Sequence, residues 1–128
     1  MSIKKSFKPT ESELEILQIL WDRGSCTVRD VHEELSKTKE TGYTTTLKLM
    51  QIMSEKGLVV RDETSKTHVY QSAISRQKTQ KQFLDKMIDG LFSGSSSQLV
   101  IQALGNQKTS KDELEEIQKY LDNLKAGK

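Results

Sequence analysis

A single cysteine, Cys26, excludes an internal disulfide framework. With only two histidines beside it, His32 and His68, it cannot complete a four-ligand zinc site within one chain. One proline and seven glycines in 128 residues leave long stretches in which helices can run unbroken. Aromatic residues make up 5% of the chain and hydrophobic residues 34%. That supports a core, but a thin one, which a second chain can complete. No apolar run approaches the roughly 20 residues that a membrane helix needs. The opening MSIKKSFKPT has lysines with no apolar stretch behind them, so it does not read as a signal peptide. The expectation is a soluble cytoplasmic protein, with no membrane contact, no metal and no other cofactor.

Neither sign of charge dominates. Residues 1–73 hold 11 basic and 11 acidic side chains, and residues 74–128 hold 9 and 7. The total therefore carries little of the footprint of a nucleic-acid binder. A local footprint is still open, because what matters is which face holds the charge. Lys4, Lys5 and Lys8 precede any acid, and Arg76, Lys78, Lys81 and Lys86 surround Asp85 alone. The lysines at the start read as a solubilising tail, with a DNA-touching arm as the alternative.

The order of elements is legible. Thr10 and Glu13 form a capping box that opens a first helix ending near Arg23. Leu14, Leu17, Leu20 and Trp21 recur on one face of it, and Gly24 suits a left-handed end. Thr27, with Asp30 three residues on, starts a short second helix whose buried stripe is Val28, Val31 and Leu35. Residues 37–42 form a polar turn. A third helix follows, from about Tyr43 to Lys56. Placing its residues at helical steps puts Tyr43, Thr46, Leu47, Leu49, Met50 and Met53 on one side. Thr44, Thr45, Lys48, Gln51 and Glu55 face the other way, with Ile52 at the edge. Gly57 closes the helix in a left-handed conformation, and Leu58 can pack back on Met53. Residues 58–61 and 68–71 are β-prone runs around a polar loop, which predicts a hairpin.

From about Arg76 the pattern is helical, with Phe83, Leu84, Met87, Ile88, Leu91 and Phe92 as an apolar stripe. Gly94 and the serines after it interrupt it. A short helix over about 98–104 should be broken by Gly105 and Asn106. Ser110 and Glu113 cap a last helix, in which Leu114, Ile117, Leu121 and Leu124 are spaced like a coiled-coil seam.

Helix, short helix, helix and hairpin is the order of a winged helix-turn-helix. The fold class expected is mainly α with a small β-hairpin, a winged helix-turn-helix over 1–73 followed by a helical dimerisation region over 74–128. In such a module the third helix enters the major groove, where each base pair shows a distinct donor and acceptor pattern. Thr44, Thr45, Lys48 and Gln51 would meet the bases or phosphates. Arg61 and Lys66, with His68 as a further candidate, would touch the backbone from the wing. The later apolar stripes exceed what three short helices can bury among themselves. Leu84, Met87, Ile88, Leu91, Leu114, Ile117, Leu121 and Leu124 are therefore expected in a two-fold homodimer, and the target is double-stranded DNA with a palindromic operator.

Residues 10–21, Thr-Glu-Ser-Glu-Leu-Glu-Ile-Leu-Gln-Ile-Leu-Trp, resemble the opening of the penicillinase-repressor (BlaI/MecI) family. Cys26-Thr-Val-Arg-Asp-Val-His-Glu-Glu-Leu35 is similar to its second helix. Gly42-Tyr-Thr-Thr-Thr-Leu47 and Glu55-Lys-Gly-Leu58 resemble its reading helix and exit. The resemblance implies a dimeric transcriptional repressor, with Tyr43, Thr44, Thr45 and Lys48 in the reading helix. In well-known members a membrane metallopeptidase sensor triggers cleavage in the C-terminal part, so a regulatory protease is an implied partner. The sequence departs from the pattern in places. Ile52 stands where relatives often have a basic residue. The scissile region would fall near Leu99–Leu104, where only Gln102-Ala103 stands and no Asn-Phe pair does. Copper-responsive relatives end in a cysteine-rich tail, which Leu-Lys-Ala-Gly-Lys does not resemble, so copper sensing is not expected.

Plainer readings stand beside these. The Thr44–Thr46 run also suits a helix start. Thr46 is read as structural and Trp21 as core. Tyr43 either packs at the domain edge or sets its hydroxyl on a phosphate. His32 is read as solvated and His68 as an ordinary hairpin residue. Cys26 is read as a small buried residue, with a redox role as the lesser alternative. No Ser/His/Asp arrangement, metal-ligand spacing or Gly-rich phosphate loop points to an enzyme. The competing function is a winged helix used as a protein-interaction scaffold. A dimer without DNA affinity even at low salt would favour it. The operator, the target genes, the inducing signal and any small-molecule ligand are not legible here.

Overall fold

The computed structural model describes residues 8–127, so Lys4 and Lys5 lie outside the described residues. In chain order the elements are α1 (Glu11–Arg23), α2 (Val28–Leu35), α3 (Tyr43–Lys56), β1 (Val59–Asp62), β2 (Val69–Ser72), α4 (Arg76–Leu91), α5 (Ser96–Asn106) and α6 (Lys111–Lys125). The two strands form one antiparallel hairpin, with Val60 opposite Gln71 and Arg61 opposite Tyr70. Two compact units divide between Phe83 and Leu84.

Three helices begin as their sequences dictate. The hydroxyls of Thr10, Thr27 and Ser110 accept the N–H of the residue three positions on, and Glu13, Asp30 and Glu113 reach back to the capping residue's N–H. Each box satisfies two amides that the helix leaves unpaired. At the other end of α3, Gly57 adopts φ 86° and ψ 12°, the left-handed region that a side chain resists. The Leu58 N–H then donates to the Met53 carbonyl at 2.9 Å, which turns the chain directly into β1. Gly24 corrects an expectation. Its φ of 88° is positive, but its ψ of −142° lies outside the left-handed helical region. The chain leaves α1 extended, toward the bridge that Cys26 makes.

The core of the first unit joins Ile16, Leu17 and Leu20 to Val31, Leu35, Met50, Met53, Leu58, Val59 and Tyr70. Ile16 is fully buried, whereas Leu14 and Trp21 sit at the margin, so the buried face of α1 is turned from the expected one. Cys26 bonds across to Tyr70 through both backbone groups, at 2.9 and 2.7 Å. That bridge, outside the named strands, fastens the start of α2 to the hairpin. Burial raises the pKa of the Cys26 thiol, which opposes the redox reading.

Trp21 fastens α1 to the hairpin's exit. Its indole N–H donates to Ser72 Oγ and to the Ile74 carbonyl, both at 3.0 Å. Trp21→Phe keeps an aromatic ring of smaller size and removes the N–H, while Ser72 Oγ still donates to the Ile74 carbonyl at 2.6 Å. It should lower stability by about 1 kcal/mol, read as a drop of a few degrees in melting temperature. An unchanged melting temperature would show that the bonds contribute nothing.

The hairpin strands lie about one residue C-terminal to the predicted runs, because pairing rather than propensity sets their ends. In the second unit, α5 runs through Gly105 to Asn106 and corrects the expected break. A single glycine in a helix costs only about 1 kcal/mol and is tolerated. No residue of α5 or α6 is buried. Among the described residues, no helix is long and apolar enough to cross a membrane.

Candidate nucleic-acid interface

The third helix separates its faces as its sequence predicts, with one exception. Thr46, Met50 and Met53 are buried. Thr44, Thr45, Lys48, Gln51 and Glu55 are exposed. Thr46 is structural: its hydroxyl donates to the Gly42 carbonyl at 3.2 Å. The exception is Tyr43, expected on the buried side but 47% exposed. Tyr43 instead meets the His32 ring edge to face, with centroids 5.7 Å apart. His32 corrects its own expectation too. It is half-buried, and its buried Nδ1 has no hydrogen-bond partner among the described residues.

Alone among the helix starts whose capping geometry is described, that of α3 has a cap residue but no side-chain cap. Gly42 at that position has no side chain to offer. The first-turn amides of α3 therefore point outward at a place of partial positive charge.

An open concavity of about 600 Å³ lies between the start of α2, the flank of α3 and the wing. Tyr43, Leu47 and Gln51 line it from α3, each one turn beyond the last. Arg61 lines it from β1, and Lys66, Thr67 and His68 from the wing loop. Four of the seven predicted DNA-contact residues, Tyr43, Gln51, Arg61 and Lys66, thus share one feature. Thr44 and Lys48 lie on the adjoining outward strip of α3. Thr45 is on the strip's far flank and outside the concavity. His68 joins the concavity, although its plainer reading was that of an ordinary hairpin residue. Thr27, Val28 and Arg29 also line it, and sequence reasoning gave none of them this place. Only the folded approach of α2 to the wing reveals them.

The wing is ordered by its own polar side chains. Asp62 accepts the Thr64 N–H at 3.0 Å, and this bond lowers the Asp62 pKa. Ser65 Oγ donates to the Thr67 carbonyl at 3.0 Å. Arg61 is already engaged. Its Nε donates to Glu63 at 2.6 Å, and hydrogen bonds to Tyr70 and Glu63 raise its pKa. A phosphate must compete with Glu63 for it. Lys66 and Lys48 are exposed, and no carboxylate among the described residues pairs with either.

A buried ion pair fixes the far end of α3. Glu13 is 2% exposed, and its two carboxylate oxygens accept from Lys56 Nζ at 2.9 and 2.8 Å. The same carboxylate accepts the Thr10 N–H, so one side chain caps α1 and anchors α3. Burial pushes its pKa up, but the Lys56 and Thr10 bonds outweigh that and hold it below the ordinary 4.5.

Known proteins resemble this chain along nearly all its length. The family profile described as penicillinase repressor matches residues 9–123. The methicillin resistance regulatory protein MecI of Staphylococcus aureus strain N315 is 26% identical over 121 residues, which are 91% of this chain and 95% of that protein. The transcriptional regulator BlaI of Mycobacterium tuberculosis strain CDC 1551 / Oshkosh is 27% identical over 117 residues, 90% of this chain and 83% of that one. Among solved structures, the solution structure of the DNA-binding domain of the repressor BlaI superposes with a TM-score of 0.51 at 26% identity. It covers 58% of this chain and 90% of that domain. The first unit is thus a winged helix, and the chain belongs to the penicillinase repressor family.

Proposed function

We propose that this protein is a DNA-binding transcriptional repressor that reads a palindromic operator as a homodimer. Residues 1–73 form the DNA-binding domain and residues 74–128 the helical dimerisation domain. The observation that carries the reading is the concavity beside α3. It collects Tyr43, Gln51, Arg61 and Lys66 next to the outward strip that bears Thr44 and Lys48. An α-helix fits the major groove, and a neighbouring wing meets the backbone alongside it. Family membership and the likeness to a repressor's DNA-binding domain support the same function.

The division of labour follows from chemistry. Thr44 and Thr45 carry hydroxyls and methyls suited to base edges. Gln51 suits adenine, and Lys48 suits guanine or a phosphate. Lys66 supplies sequence-independent affinity. In the second unit Leu84, Met87, Leu91, Leu114, Leu121 and Leu124 are exposed in the single chain, while Ile88 and Ile117 are half-buried. A two-fold partner would cover these apolar side chains and set two reading helices about one DNA turn apart, or a multiple of it. Gln102 and Ala103 are exposed within α5, so a regulatory protease cutting there would first have to unwind it.

Binding to operator and random duplexes tests the assignment. Thr44→Ala or Thr45→Ala should narrow the gap between the two by about 1–2 kcal/mol. Lys48→Ala should weaken operator binding by a similar amount. Lys66→Ala should weaken both duplexes alike. Equal losses on both duplexes for all four variants would contradict the roles.

A further inference from the structure

Residues 1–73 carry no net charge, yet the cations of the first unit are not equally free. Five ion pairs lie away from the concavity: Arg23 and Lys37 with Glu34, Lys39 with Glu15, Lys56 with Glu13, and Arg76 with Asp22. The Arg61–Glu63 pair touches it. Arg29, in the first turn of α2, is different. It is exposed, it lines the concavity, and no carboxylate among the described residues pairs with it. The adjacent acid, Asp30, is committed elsewhere, because its Oδ2 accepts the Thr27 N–H at 3.0 Å. The opposite element of the concavity, the wing loop, contributes a second unpaired cation, Lys66.

Two free cations on separate elements, facing one open trough, suit an extended polyanion rather than a small enclosed one. A guanidinium matches a phosphate with two parallel N–H bonds. We infer that Arg29 contacts a DNA phosphate in the concavity between α2 and the wing, so that the backbone is held between Arg29 and Lys66. The inference rests on the DNA-binding reading above and adds a contact that lies outside both the reading helix and the wing. It also explains how a net-neutral domain can hold DNA. Acids hold five cations away from the concavity, while Arg29 and Lys66 beside it stay unmatched among the described residues.

The test uses the full chain and fluorescent mixed-sequence duplex DNA over a series of salt concentrations. Arg29→Ala should bind roughly three- to tenfold more weakly, by the same factor on unrelated duplexes, with the salt slope shallower by about 0.9 per protomer. Arg29→Lys should restore the slope, because the charge is what releases the counterions. Melting temperatures should match the wild type, since no carboxylate among the described residues pairs with Arg29. Should the alanine variant melt lower, the lysine variant decides, because a purely structural loss would leave its slope changed too. Wild-type affinity and slope in Arg29→Ala would overturn the inference, as would a loss confined to one duplex sequence. Failure of the parent reading looks different: there the wild type itself binds no duplex at low salt.

Discussion

Glu13→Ala should lower the free energy of unfolding by about 2–4 kcal/mol, measured by urea titration. Two groups lose their partner at once, and with them goes a link between helices. The Thr10 amide loses half of its capping box, Lys56 loses both oxygens, and α1 loses its tie to α3. Lys56 is only 26% exposed and is left facing an empty place, so the loss exceeds that of a surface pair. Lys56 is the last residue of α3, and Gly57 then starts the turn into the hairpin, so the substitution should also loosen the angle between α3 and the wing.

The same carboxylate predicts a pH dependence. Its folded pKa lies below the ordinary 4.5 of an unfolded chain. Such a group contributes its stability above the unfolded pKa and loses it as pH falls through the folded one. Glu13→Gln keeps the shape and removes the charge. The wild type should therefore exceed Glu13→Gln in stability at neutral pH, and the gap should close as pH drops below about 4.5. A gap that stays constant down to pH of about 3 would assign the effect to shape rather than charge.

The second large effect concerns the seam of α6. Ile117→Asp together with Leu121→Asp should give monomers by light scattering and weaken operator binding by about a hundredfold or more. Leu114, Ile117, Leu121 and Leu124 follow a capped helix start; the three leucines stay exposed within their own chain and Ile117 is only half-buried. Carboxylates at two adjacent seam positions cannot be desolvated against a symmetric copy. Binding two half-sites through one dimer multiplies affinity, and a monomer forfeits that. The first unit keeps its own core, so its melting should be unaffected. A dimer that survives the double substitution would place the interface elsewhere.

What the sequence revealed was mainly local. The capping boxes of Thr10, Thr27 and Ser110 involve partners three residues apart, so spacing alone identified them. The outward strip of Thr44, Lys48 and Gln51 followed from helical periodicity. Contacts between distant residues were not legible. Glu13 and Lys56 lie 43 positions apart, and the capping motif gave no hint of the second partner. Tyr43 was misplaced because periodicity assigns a face but not the neighbour that covers it. His32 was read as solvated for the same reason. Arg29 sits in a charged stretch of α2 that looks like any exposed surface. Its place in the concavity exists only once the Cys26–Tyr70 bridge has drawn α2 against the wing.

The central claim is that α3 reads DNA sequence and that two copies do so together. The most direct measurement is selection of bound duplexes from a randomised DNA pool by the full chain at two salt concentrations. The account predicts enrichment of a two-fold palindrome with half-sites about one or two turns apart, retained at the higher salt. Weak, salt-sensitive binding without an enriched sequence would contradict it and leave the winged helix as a module for a protein partner.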